Sequence, residues 1–161
     1  MSDRNQLYDL LNDYTAMIGK ALNIIMRNDV RSRKKAHELC YKFLREKYPY
    51  LHNKFVQEAY KRALATYRSY RKLLNKWKRL PENRRKKVSP PSPPKVDEKR
   101  VIELHIDTYK LDRKHGFLTL VISKGSRVYL KFLVMEYEYA RRELMDLNYG
   151  SKLGNSKILV D

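Results

Sequence analysis

Four histidines and one cysteine are the side chains of this sequence best suited to hold a metal or act as a base: His37, His52, His105, His115 and Cys40. No two of the histidines stand two residues apart, so a paired-His metal site is absent. His37 and Cys40 lie three residues apart, one turn of a helix, but two ligands do not make a zinc site. A core Cys beside a surface His is the expected arrangement. Asp107 with Asp112, and Glu136 with Glu138, are the carboxylate pairs a metal would use. Each falls at a strand end, a turn or a helix start, where acidic residues serve local hydrogen bonds. No nucleophile elbow, phosphate-binding loop or dinucleotide glycine pattern occurs. The expectation is a chain with no catalytic residue, no metal site and no cofactor, and not by itself an enzyme.

Cations carry the remaining chemistry. The 161 residues hold 36 Lys and Arg against 18 Asp and Glu, a net charge of +18. A surplus of this size points to polyanions. It is unevenly placed: residues 1–88 have 23 cations and 8 acids, residues 89–161 have 13 and 10. Lys61–Lys87 alone holds 12 cations and a single acid, Glu82. Within it Lys61, Arg62, Arg68, Arg71, Lys72, Lys76, Lys78 and Arg79 surround Tyr60, Tyr67, Tyr70 and Trp77, and Arg84, Arg85, Lys86 and Lys87 follow. Cations reach phosphates, and aromatic and guanidinium planes stack on bases. Arg127 and Lys131, on the polar face of a strand, add a second surface. A plainer reading makes the cations a solvated face and turns the aromatics into a bundle. The aromatic spacing fits packing, so Tyr60, Tyr67 and Trp77 are assigned to the core and the cations to nucleic-acid contacts; Tyr70 stands between the two.

Three helices must position these groups. Leu7, Leu10, Leu11, Tyr14, Ile18, Ala21, Leu22 and Ile25 recur at three- and four-residue steps, one face of a helix over 4–27, with Gly19 inside it marking close packing. Asn28-Asp29 breaks the run. A second helix over 32–47 is lined by Ala36, Leu39, Cys40, Phe43 and Leu44 and stops before Pro49. Asn53 is placed to cap a third, lined by Val56, Ala59, Tyr60, Ala63, Tyr67, Tyr70, Leu74 and Trp77 and ended by Pro81. The organisation expected is a basic helical bundle over 1–80, a basic Pro-rich linker over 81–99, and a small β-rich domain over 100–161. Val88-Ser89-Pro90-Pro91-Ser92-Pro93-Pro94 favours extended polyproline II. Beyond it the period drops to two. Ile102, Leu104 and Ile106 alternate with polar residues, Phe117–Ser123 is apolar, and Val128, Leu130, Phe132 and Val134 alternate again, so a hairpin forms about Gly125. Glu136–Leu147 reads as a short helix, and Ile158-Leu159-Val160 as a further strand. The fold class is α+β. An apolar edge strand closing the sequence suggests a piece of a longer protein. No apolar run is long enough for a bilayer and no signal peptide opens the chain, so a cytoplasmic protein without membrane partners is expected.

The order of motifs resembles the region before the nuclease domain in the OrfB/TnpB family of transposon-encoded RNA-guided endonucleases. The residues that carry it are Leu7-x-x-Leu10-Leu11-x-x-Tyr14, Ala21-Leu22-Asn23, Lys47-Tyr48-Pro49-Tyr50-Leu51, Gln57-x-x-Tyr60-x-x-Ala63 and Tyr67-x-Ser69-Tyr70. Tyr109-Lys110-Leu111, Val128-x-Leu130 and Tyr149-Gly150-Ser151-Lys152-Leu153-Gly154 continue it. The resemblance implies a helical recognition lobe beside a small β-barrel that grips guide RNA and target DNA. It also implies catalysis further along, in a RuvC-like domain whose acidic motifs this sequence lacks. The zinc-finger cysteines are absent too, as is the strand that usually precedes the helices. The function expected is therefore a nucleic-acid-binding module, for RNA, DNA or both, of a mobile-element protein. Its protein partner would be the missing nuclease domain or a second copy of the chain. A stand-alone DNA-binding regulator and an assembly module pairing through the Tyr/Leu stripe are the alternatives.

Overall fold

The apolar stripe over 4–27 needs one continuous helix, and the computed structural model, which describes residues 3–96, 101–112, 117–123, 126–131 and 156–159, has it as α1, Asp3–Arg27. Every residue of the expected stripe is buried, and Met17 joins it. α2 spans Arg33–Lys47 and is capped by Ser32, whose Oγ accepts from the Lys35 amide at 3.2 Å. Ala36, Cys40 and Leu44 are buried, whereas Phe43, expected to face inward, is exposed and carries the Lys47 ammonium 5.1 Å above its ring. α3 spans Asn53–Lys78. Its cap is His52, not the expected Asn53: the backbone is still extended at His52, and its Nδ1 accepts from the Lys54 amide at 3.3 Å. Arg45 holds the α2–α3 turn by donating to the Leu51 carbonyl at 2.6 Å. α1 packs chiefly on α3, and α2 packs on α3, which makes α3 the central helix.

The α1–α2 turn is tied to the middle of α3. Asp29 has a left-handed backbone, φ 44°, which reverses the chain. Its carboxylate accepts from the Arg31 guanidinium and from the Tyr67 hydroxyl, the latter at 2.5 Å. Arg71 Nε stands 3.7 Å away, and Arg68 Nε donates to the Arg31 carbonyl at 2.8 Å.

After the helices there are five strands among the described residues: β1 Val101–Leu104, β2 Tyr109–Asp112, β3 Phe117–Ser123, β4 Ser126–Lys131 and β5 Ser156–Leu159. All described pairings are antiparallel. β3 pairs with β4 out to Ser123 opposite Ser126, the hairpin expected about Gly125, and β2 adds on the other side of β3. β1 pairs with β5 in a second, two-stranded sheet. Ile102 and Leu104 are buried as alternation demands. Ile106, expected to continue that strand inward, is exposed: residues 106–108 form a 3₁₀ turn closed by the Thr108 amide on the His105 carbonyl at 2.8 Å, and this ends the alternation. The fold is α+β. The helix expected over 136–147 and Val160 lie outside the described residues.

Helices and strands share one core. Ile102, Leu104, Tyr109, Leu120 and Ile122 belong to the same buried cluster as Tyr14, Met17, Phe55 and Leu64. The His52 amide donates to the Ile122 carbonyl at 2.6 Å, and Lys54 pairs with Asp107 at 3.2 Å. The segment expected as an extended linker begins with a helical turn, α4, Glu82–Arg85, and residues 89–96 are irregular. It is docked at both ends. The Trp77 indole donates to the Val88 carbonyl at 2.7 Å, and a Cβ added to Gly19 would sit 3.2 Å from Val96 Cγ2. Among the described residues no helix is long and apolar enough to cross a membrane.

Candidate nucleic-acid interface

The buried stripe of α3 stops at Tyr67: from Arg68 to Lys78 no residue is buried. At 1.5 Å per residue this exposed arm is about 16 Å long. Lys61, Arg68, Lys72, Lys76 and Arg79 follow one another at steps of seven, four, four and three residues, so they share the helix side opposite Ala59, Ala63 and Tyr67. Lys76 and Lys78, in the last turn, also suit the negative end of the helix dipole.

The expected cations divide into three groups. Lys61 is spent on Glu58, whose nearly inaccessible carboxylate it meets at 2.7 Å. Arg62 stands 3.6 Å from Glu103 and joins α3 to β1, and Arg68 and Arg71 hold the α1–α2 turn. Lys86 pairs with Glu82 at 3.0 Å in solvent, a contact of little energy. Lys72, Lys76, Lys78, Arg79, Arg84, Arg85 and Lys87 are exposed and have no ion-pair partner among the described residues. Arg127, on β4 opposite Val121, is exposed, and Lys131 closes β4 opposite Phe117, four residues further along the strand.

The aromatics divide as well. Tyr60 is buried with its hydroxyl 2.9 Å from His37 Nδ1, and Tyr67 is buried on Asp29. Tyr70 packs against the core at its edge. Trp77, assigned to the core, lies outside the buried cluster. It lines an open groove of about 360 Å³ with Leu73, Leu80, Val88 and Pro91. Leu73 is 57% exposed and Val88 51%. Neither Leu73 nor Leu80 was expected at a site, although each is one helical turn from Trp77, a spacing that could have pointed to them.

A second cleft, between α3 and β1, was not foreseen. It is lined by Arg33, Glu58, Lys61, Arg62, Ser69 and Glu103, so cations and carboxylates meet in it. Tyr14 is buried close to Arg62 and Glu103, and burial pushes its phenol well above the ordinary range. Cys40 is buried in the bundle, its thiol pushed up to about 11 by burial, which leaves it unreactive at neutral pH. His37 stacks on Tyr41 with ring centroids 4.7 Å apart. Among the described residues no three His, Cys, Asp or Glu side chains come together as a metal site.

No protein-family model matches the chain, and no curated protein is similar to it.

Proposed function

We propose that this chain binds nucleic acid through the exposed arm of α3 and the turn of α4. One observation carries the reading: seven cations between Lys72 and Lys87 stand in solvent with no carboxylate partner among the described residues. Surfaces that merely solvate a helix intersperse both signs. Here Glu82 is the one acid in the stretch, and it reaches only Lys86. The Tyr/Leu stripe that an assembly module would use is occupied by the chain's own bundle, since Tyr60, Ala63, Leu64 and Tyr67 are buried.

The order of motifs supports a narrower reading, in which the chain is the recognition and β part of an OrfB/TnpB-type RNA-guided nuclease. Reading the coding sequence past codon 161 tests that parentage: an in-frame Gly-Val-Asp-Leu-Gly segment is the expected result. Nucleic-acid binding is tested with a structured RNA and a duplex DNA at two salt concentrations. About five phosphate contacts lose close to three decades of affinity between 50 and 200 mM salt. Absence of binding at 50 mM, or affinity indifferent to salt, would sink it.

A further inference from the structure

We propose that the groove at the end of α3 seats an unpaired nucleobase, so that the preferred ligand is single-stranded nucleic acid. This rests on phosphate binding by the same arm and names its ligand more closely. Leu73 and Val88 leave much of their apolar surface in water, in the groove that Trp77 also lines. One cation borders that surface: Lys76 lines the groove itself, and from it the row of Lys72 and Arg79 runs on around the helix, away from the Trp77 side. An occupant must therefore present a flat apolar face and negative charge within a few ångströms of each other. A base on its sugar phosphate does both. A duplex has its base faces already stacked, and filling the groove would require extruding a base.

The groove is prepared for stacking rather than for reading a sequence. The polar atom of Trp77 is committed to the Val88 carbonyl at 2.7 Å, which fixes the ring and leaves only its π surface to offer. Among the described residues no side-chain carboxylate or amide lines the groove; its polar side chains are Lys76 and Ser89. Stacking of this kind tolerates every base, since each has a π face. Lys72 and Lys76 lie about 6 Å apart along the helix axis, which lets both engage the backbone of a strand laid along the arm.

Trp77 is the sole tryptophan of the chain, so its fluorescence reports on the groove alone. The full chain is titrated at 50 mM salt with a 12-nucleotide oligouridine, a 12-base-pair DNA duplex and phosphatidylserine vesicles. The oligouridine is expected to quench Trp77 and to bind about tenfold tighter than the duplex, the worth of one stacked base. Leu73→Ala, which breaks no hydrogen bond, is expected to remove most of that preference and to leave duplex binding unchanged. Trp77→Ala should do the same, but it also releases Val88, so Leu73→Ala decides. Equal binding of both nucleic acids without quenching would overturn the base seat and leave phosphate binding intact. No binding of either would overturn both. A response to vesicles alone would assign the groove to a membrane surface and overturn the proposal.

Discussion

Asp29 joins the α1–α2 turn to α3 through a single side chain. Its left-handed backbone turns the chain, and its carboxylate gathers Arg31, Tyr67 and Arg71 from two elements. The hydrogen bond from Arg31 and then that from Tyr67 hold this carboxyl down at about 2, from an ordinary 3.8. A depressed carboxyl contributes stability that is present above about pH 4 and lost as pH falls through 2. Thermal unfolding of the wild type and Asp29→Asn should therefore show a gap that is open at pH 5 and closes towards pH 2. Asn tolerates the left-handed backbone, so the comparison isolates the charge; a gap independent of pH would place the effect elsewhere. Glu58 makes the opposite case, a carboxylate taken out of water with Lys61 as its partner. Lys61→Met strands it and should cost about 2 kcal/mol in urea unfolding, with Glu58→Met in the same chain restoring most of that stability. If the single variant is neutral, Lys61 is free for a ligand after all.

Elements were legible in the sequence where one period ran undisturbed. Leu7 to Ile25 placed α1 within a residue, and the Val128 and Leu130 alternation located the hairpin. Legibility failed where a tertiary partner intervened. Ile106 keeps the period of a strand, yet the His105–Thr108 turn takes it out of the sheet. Trp77 keeps the spacing of the buried stripe, yet α3 outruns its partners beyond Tyr67, and the Pro-rich segment returns to meet it. Nothing local in Ser89–Pro94 announces that return, since prolines favour an extended chain with or without a surface beneath them. Among the candidate cations, sign and density were readable, but not which ones the fold consumes: Arg62, Arg68 and Arg71 find their partners on β1 and on the α1–α2 turn, far along the chain. Gly19 is where the returning segment lands. Gly19→Ala gains about 1 kcal/mol of helix propensity but crowds Val96, so the single change should be nearly neutral in denaturant unfolding. Paired with Val96→Ala, the substitution should show its helix gain; additivity of the two changes would mean the segment does not press on α1.

For the molecule as a whole, a charge of +18 acts on stability and on binding with opposite sign. Like charges along Lys72–Lys87 repel in the free protein, so salt that screens them should raise the thermal midpoint. The same salt should weaken nucleic-acid binding. Replacing Lys72, Lys76, Lys78 and Arg79 by Gln should flatten both dependences together, lowering the slope of log affinity against log salt by about 0.7 on a single strand, or about 0.9 on a duplex, for each of the four that engages a phosphate. A slope that persists would assign phosphate binding to Arg127 and the strand face instead. The pairing of β1 with β5 reaches from Val101 to Leu159 and so sets an order of assembly. Chains emerge from the ribosome N-terminus first, and the three helices and their cations are complete long before residue 156 is made. Until then β1 has no β5 to receive its backbone groups, although Ile102 and Leu104 already have the helices to pack on. The slow step of folding should accordingly be the closure of this long loop, with a helical, already cationic intermediate preceding it.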